Sequence, residues 1–328
     1  MKGMKPMKQK SKLSLGKKNG KKNGSQYQTM SVREDLRKNK VKYLMILPVI
    51  IYFIFFAYKP MYGVIIAFKD FRPGLGIIKS RWVGLENFVA FFKDIYFWRV
   101  LRNTFSISIL QIIFGFPAPI IFALFVNELK NQKFKKVVQT VSYLPHFISL
   151  VVVCGVLRVF VQSDGLIPTV LAHFGVAPTN LLANKECFYP IYIISGIWQS
   201  VGWESIIYLA ALAGIDQEQY EAARIDGAGR FQQMWYITLP GIVPTISVLF
   251  ILRMGKMLSV GYEKILLLYT PTTYEVADVI STYVYRRGVL EADYSYSTAI
   301  SIFNSVINII LLIVTNKISK KLSGTSVY

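Results

Sequence analysis

An all-α, polytopic membrane protein with six transmembrane helices is the fold class this sequence predicts, and three observations predict it. The 328 residues are 53% hydrophobic and only 17% charged, whereas soluble chains carry about 25% charged residues. Mean hydropathy is +0.40. Several apolar stretches run to about 20 residues, long enough to cross a hydrocarbon core of about 30 Å as helix.

The first 42 residues are rich in Lys, Gly, Asn and Ser (GKKNGKKNG). Such a composition buries too little apolar surface to order itself, so residues 1–42 are expected to form a disordered basic tail. Its end, SVREDLRKNK, suits a short interfacial helix. A secretory signal is a poor fit, because the tail is long and the apolar run after it exceeds a usual h-region without an A-x-A site. A six-helix domain is then expected over 43–320, with a short tail at 321–328.

The first span is expected over Tyr43–Tyr58. Lys59-Pro60 interrupts it, since Pro removes a backbone donor, and MYGVIIAF continues it to Phe68. Residues 69–103 read as a mixed loop whose aromatics, among them Trp82, Phe91 and Trp98, suit a helix at the membrane–water interface. The second span, Thr104–Val126, carries Pro117 and Pro119, so a kink is expected. The third is expected over Val141–Val161 with Pro145 in its first turns, the fourth over Tyr189–Leu212, the fifth over Ile242–Val260 and the sixth over Tyr296–Thr315. No internal repeat is visible.

Charge fixes the expected orientation. With a cytoplasmic N-terminus, the inner segments hold 23 Lys and Arg and the outer segments 12, and 14 of them lie in the first 42 residues. This bias puts both termini in the cytoplasm, with the chain multi-pass in the cell membrane. The same tail accounts for much of the net charge of +20. It reads as a segment held near anionic lipid and not as a nucleic-acid site, for no aromatics are interleaved among its basic residues. Two cysteines, Cys154 and Cys187, and two histidines, His146 and His173, form no metal-ligand spacing. No GxxxxGK[ST] or GxGxxG occurs, so no nucleotide site and no cofactor is expected in this chain.

The most polar helical stretch of the C-terminal half is the loop at 214–240, between spans four and five. The charge count places it in the cytoplasm. Small residues at Ala222 and Ala223 permit close approach of another surface, and Gly227 permits a turn at positive φ. A second short helix, Phe231–Tyr236, then leads into the fifth span, whose first turn accepts Pro240 and Pro244. An amphipathic linker lying on headgroups is the plainer reading of this pattern.

The spacing carries more. Glu221-Ala222-Ala223, Gly227, Ile237 and Leu239-Pro240 resemble the EAA loop of permease subunits of bacterial ABC importers at every defining position, and in its place between spans four and five. YEAARIDGAGRFQQMWYITLP is similar to the sugar-importer, maltose/glycerol-phosphate permease-like branch. KPMYGVIIAFKDF, WVGLENF and WQSVGWESIIYLAALAGI resemble the branch for polysaccharides and complex oligosaccharides. The resemblance covers about 40–325. It implies a type I ABC importer permease fold, not an enzyme. ATP and Mg belong to two cytoplasmic ATPase subunits. A second permease and an extracellular substrate-binding lipoprotein complete the assembly. By the same resemblance Glu221 pairs with a basic residue of the ATPase, Ala222 and Ala223 sit in its cleft, Gly227 makes the turn, and Asp226, Leu239 and Pro240 belong to the coupling segment.

Polar residues inside spans are costly and face a cavity or a partner. Gln199, Glu204, Arg253 and Lys256 meet that description, and Trp203 and Tyr208 share their spans. Aromatic rings with amides suit an oligosaccharide path. The alternatives are a structural Glu204–Arg253 pair joining spans four and five, and interfacial anchoring by the tryptophans. Arg253 and Lys256 also suit an acidic sugar such as a uronate. Three other classes compete. An ion-coupled secondary transporter usually has more spans and an internal repeat. A membrane enzyme needs converging acid, base or metal groups. A non-transporting assembly subunit would lack sugar-importer genes beside it.

Overall fold

The computed structural model describes residues 35, 36 and 38–323. The expected disorder of the tail and half of its expected interfacial helix therefore fall outside the described residues. The chain divides into two compact units, 1–60 and 61–328. Among the described residues of the first, Lys40–Tyr52 is α-helix with Pro48 inside it, Phe53–Tyr58 is a π-helical turn, and no residue is buried.

Among the described residues, five helical segments are long and apolar enough to cross a membrane: Lys40–Phe68, Phe97–Asn127, Leu150–Ala172, Arg230–Met254 and Tyr294–Lys321. The sixth helix, Lys185–Ala213, has 29 residues, which reaches about 43 Å at 1.5 Å per residue. Its length suffices, but Gln199, Ser200 and Glu204 dilute its apolarity. These six are spans 1–6 below in chain order, with Lys185–Ala213 as span 4.

Several boundaries differ from the sequence expectation. The helix of span 2 begins at Phe97 and not at Thr104, and a π-helical turn at Gln111–Gly115 precedes Pro117. Pro117 lacks the N–H that a regular ladder would use, and the helix restarts on it. The expected unbroken third helix over Val141–Val161 is two helices. Gln132–Tyr143 ends in a 3-10 turn at Leu144–Phe147, and Ser149 then caps Leu150–Val161 by accepting from Val152 N at 3.4 Å. Pro145 is again the cause, reinforced by the serine cap. The expected loop at 162–188 contains a further helix, Leu166–Ala172. Span 5 ends at Met254 and not at Val260, with Gly255 at its C-cap. The mixed loop at 69–103 holds the interfacial-type helix Glu86–Lys93 and a two-residue antiparallel bridge, Lys69–Asp70 with Arg81–Trp82.

Three apolar clusters hold unit two. One joins spans 2, 3 and 4 to the segment after span 5 through Ile107, Cys154, Phe188, Ile193 and Leu268. Another joins Phe91 and Phe97 to Tyr283, Tyr296 and Ile300. The third joins span 2 to spans 4 and 5 through Ala123, Tyr208, Leu212 and Ile242. Helices cross most closely at Gly202, where a Cβ would lie 2.2 Å from the Ser142 carbonyl oxygen.

Polar locks tie the segment between spans 5 and 6 to the start of span 2. Asp278 is 0% exposed. Its carboxylate accepts from Arg286 at 2.8 Å, Arg99 at 3.0 Å and Thr282 Oγ1 at 2.8 Å. Asn103 Nδ2 donates to the Asp278 carbonyl at 3.0 Å, and Thr104 Oγ1 accepts from Ile280 N at 2.9 Å. Beside them Asp94 accepts from the Tyr283 and Tyr296 hydroxyls. Burial alone would raise the Asp94 carboxyl, but those bonds and the Tyr96 N–H hold it below the usual carboxylate range. Burial, then the facing carboxylate, pushes the Tyr283 hydroxyl up to about 12.

Removing one partner of a buried pair strands the other charges at a cost of about 3–5 kcal/mol. Asp278→Ala should therefore lower the thermal midpoint of the detergent-solubilised chain by several degrees, followed by intrinsic fluorescence. An unchanged midpoint would show that the Arg99–Asp278–Arg286 cluster contributes little.

Candidate functional site

The segment between spans 4 and 5 is a short helix, a turn and a second helix that runs without interruption into the membrane. Asp216 caps the helix Gln217–Ile225, its side chain accepting from Glu218 N at 3.0 Å. The helix closes with Asp226 N donating to Ala222 O at 3.0 Å and Ala228 N to Ala223 O at 2.8 Å. That closure requires Gly227 at φ +81°, a left-handed conformation that a Cβ disfavours. Gln233 Nε2 donates to Ala228 O at 2.8 Å and Gln232 Oε1 accepts from Gly229 N at 2.7 Å, so the turn is tied to the next helix. Arg230–Gln233 passes through a π-helical turn at Met234–Thr238 into Leu239–Met254. Pro240 lacks the N–H that a regular ladder would use, and the π-helical turn just before it takes up the break.

A side-chain hydrogen bond joins the two helices. The Tyr220 hydroxyl lies 3.0 Å from Thr238 Oγ1, and Thr238 is buried. Glu221 and Ala222 face outward and Ala223 is half-buried. Ile225 is 86% exposed and Phe231 74%. A polar hollow of about 780 Å³ lies beside them, lined by Glu128, Lys130, Gln217, Tyr220, Arg224 and Gln233 among others.

Inside the spans, Arg253 lies 3.9 Å from Glu204, with both side chains partly exposed. Gln199 Nε2 donates to the Ile148 carbonyl at 3.5 Å. Trp203 is exposed and stacks on His146, centroids 4.6 Å apart and planes 3° apart, with Phe147 edge-on at 5.5 Å. Lys256 is exposed. Tyr208 is buried in the cluster that joins spans 2, 4 and 5, so it packs apart from Trp203.

Sequence reasoning missed two residues here. His146 sits in the break of the third crossing, and a histidine after Leu-Pro carries no pattern. Lys264 follows span 5 in the helix Tyr262–Leu268 and is only 8% exposed. Its ammonium donates to the Tyr192 carbonyl at 2.9 Å, lies 4.7 Å from that ring's centre, and forms no ion pair with any described carboxylate. A single lysine inside YEKILLLY was its only signal.

Six membrane helices, an exposed helix–turn–helix between the fourth and fifth, and partly exposed polar groups within those two spans define a transport-system permease. The chain belongs to the family of binding-protein-dependent transport system inner membrane components, whose model matches residues 111–324. It is 45% identical over 294 residues to the polygalacturonan/rhamnogalacturonan transport system permease protein YteP of Bacillus subtilis (strain 168), covering 89% of this chain and 92% of that protein. It is also 45% identical to protein LplB of the same organism, over 87% of this chain and 90% of LplB. Its fold matches a chain of a bacterial ABC transporter that imports the acidic polysaccharide alginate, with TM-score 0.83 and 44% identity, over 89% of this chain and 99% of that one. The same importer in complex with an alginate pentasaccharide-bound periplasmic protein gives TM-score 0.84 and 43% identity, over 90% of this chain and 99% of that one. The family is one of transport components, which leaves the ion-coupled transporter and the non-transporting subunit without support.

Two substitutions test the local geometry of the exposed segment. Gly227→Ala should cost about 1–2 kcal/mol in the closing turn, and Asp216→Ala about 1 kcal/mol at the cap. Both should speed amide exchange over 217–228 and leave the spans protected. Unchanged exchange in both would contradict the assigned turn and cap.

Proposed function

We propose that this chain is the permease subunit through which an ATP-driven importer passes an acidic oligosaccharide, with ATP hydrolysed in partner subunits. It takes no cofactor of its own. Its partners are a second permease, two cytoplasmic ATPase subunits, an extracellular substrate-binding lipoprotein and membrane lipid, and both its termini are cytoplasmic.

The coupling reading rests on one observation. Ile225 and Phe231, apolar residues on either side of a tight turn, are left exposed by this chain, and a soluble face of this kind calls for a protein partner. Glu221, Ala222 and Ala223 lie on the same helix, Asp226 and Gly227 form its closing turn, and Leu239 and Pro240 begin the rigid helix beyond. Docking of Glu221 against a basic residue of the ATPase, with the two alanines in its cleft, uses that face.

The cargo reading rests on the interior charge. Arg253 lies at the end of span 5, Lys256 lies just past that end and is exposed, and Lys264 is buried with no ion pair to a described carboxylate. A cation held in a low-dielectric interior favours an anionic ligand. Trp203, with His146 stacked on it, offers a ring face to a pyranose, and Gln199 and Glu204 offer polar atoms beside it. Tyr208 supports span 4 from behind. Polygalacturonan and alginate, named for two of the relatives, are both polyanions.

Glu221→Ala and Gly227→Pro should abolish uptake and weaken retention of the ATPase on purification, while membrane insertion is unchanged. Variants that still retain the ATPase and transport normally would refute the docking role. For the cargo, Arg253→Gln should reduce uptake of an oligogalacturonate at least tenfold while sparing a neutral oligosaccharide. Equal uptake of the acidic probe by variant and wild type would remove Arg253 from recognition.

A further inference from the structure

The charged interior of spans 4 and 5 leaves a second cleft unused, at the start of span 6. Its volume is about 460 Å³, within the range of pockets that take small ligands. One wall is a pair of tyrosines, Tyr262 and Tyr285, with ring centres 5.6 Å apart and planes 23° apart. Tyr294 stands at the rim, 40% exposed. The facing wall is span 6, where Ser297, Ser301 and Ser305 follow one another at helical spacing beside Asn304. Gly288 lets the walls meet at the floor, for a Cβ there would lie 2.6 Å from Ser297 Oγ.

The hydrogen-bonding character of this cleft is specific. Ser297 donates to Tyr294 O at 3.2 Å, Ser301 to Ser297 O at 2.9 Å and Ser305 to Ser301 O at 2.9 Å. Each hydroxyl proton is thus committed to its own helix, and the oxygens face the cleft as acceptors. Asn304 completes that wall. No Asp, Glu, Lys or Arg lines the cleft. Aromatic faces on one side, acceptors in a row on the other and no net charge complement a molecule with C–H faces and many hydroxyl donors. A pyranose is that molecule; an acyl chain would leave the serines unmatched.

We infer that this cleft is a saccharide subsite, separate from the charged interior, which holds a short run of pyranose units by their hydroxyls and ring faces. It rests on the reading of the chain as a saccharide permease. One membrane crossing separates it from the coupling segment, so it lies toward the side from which cargo arrives. Its neutrality assigns it a task distinct from that of Arg253: it reads the hydroxyl pattern and is indifferent to the carboxylate.

The assembled importer in proteoliposomes tests this, with tetragalacturonate and its fully methyl-esterified, neutral form as probes. Ser301→Leu, which fills the cleft, and Tyr262→Ala should each raise KM about tenfold for both probes with kcat retained. Uptake equal to wild type would overturn the subsite. So would loss of the second permease from the purified variant complex, which would make the cleft a subunit interface. A second arm separates the subsite from the choice of cargo. In a chain carrying Cys154→Ser and Cys187→Ser, Ser301→Cys places a thiol in the cleft, and a bound saccharide should slow its alkylation several-fold. Protection by the neutral probe with no uptake of tetragalacturonate would defeat the uronate reading and leave the subsite standing. No protection by either probe would defeat the subsite.

Discussion

The contact between the Tyr220 hydroxyl and Thr238 Oγ1 is the point on which the functional geometry depends. The exposed helix Gln217–Ile225 is only nine residues long, too short to hold itself in water. It is held by the Asp216 cap, by the Gly227 closure, and by this one bond to a buried threonine. Thr238 belongs to the uninterrupted helix from Arg230 to Met254, about 37 Å of rod at 1.5 Å per residue. A displacement of the exposed helix is therefore carried into the membrane by covalent helix and not by a loop. Without the Tyr220–Thr238 bond the short helix would pivot on its two flanking turns, and that displacement would be absorbed outside the bilayer.

The same economy governs the membrane interior. Lipid offers no hydrogen bonds, so every polar group in a span needs a partner or a purpose. Asp278 has its partners, two arginines and a threonine. Among the described residues, Arg253 has Glu204 at 3.9 Å, and Lys264 has a carbonyl and a ring but no ion pair. The well-paired groups lie where the segment between spans 5 and 6 meets span 2. The poorly paired ones lie at spans 4 and 5, the two helices joined by the exposed segment.

The helical class was legible because a 20-residue apolar run has few other uses, and the exposed helix–turn–helix because Gly227 and Pro240 mark its turn and the helix beyond it. Glu221, Gly227 and Pro240 each do a local job that a sequence displays: an exposed charge, a positive φ, a first-turn proline. The break in the third crossing was harder, since Pro145 alone suggests a kink, and only Ser149 acting as a new cap turns it into two helices. The end of span 5 was misplaced because Leu258 and Val260 are apolar for a different reason: they are buried against protein and not against lipid. Lys264 and Asp278 were illegible for a related reason. Both lie in a stretch that reads as loop, and burial there comes from long-range packing on spans 2 and 4, which no local pattern records.

The most direct test of the account is the ratio of oligogalacturonate imported to ATP hydrolysed in proteoliposomes, compared among wild type, Tyr220→Phe, Thr238→Val and the double variant. A transmitting bond predicts that each single variant keeps its ATPase subunits but lowers the ratio severalfold, and that the double variant is no worse than either single one. A ratio equal to wild type in both single variants, with the ATPase still bound, would contradict it.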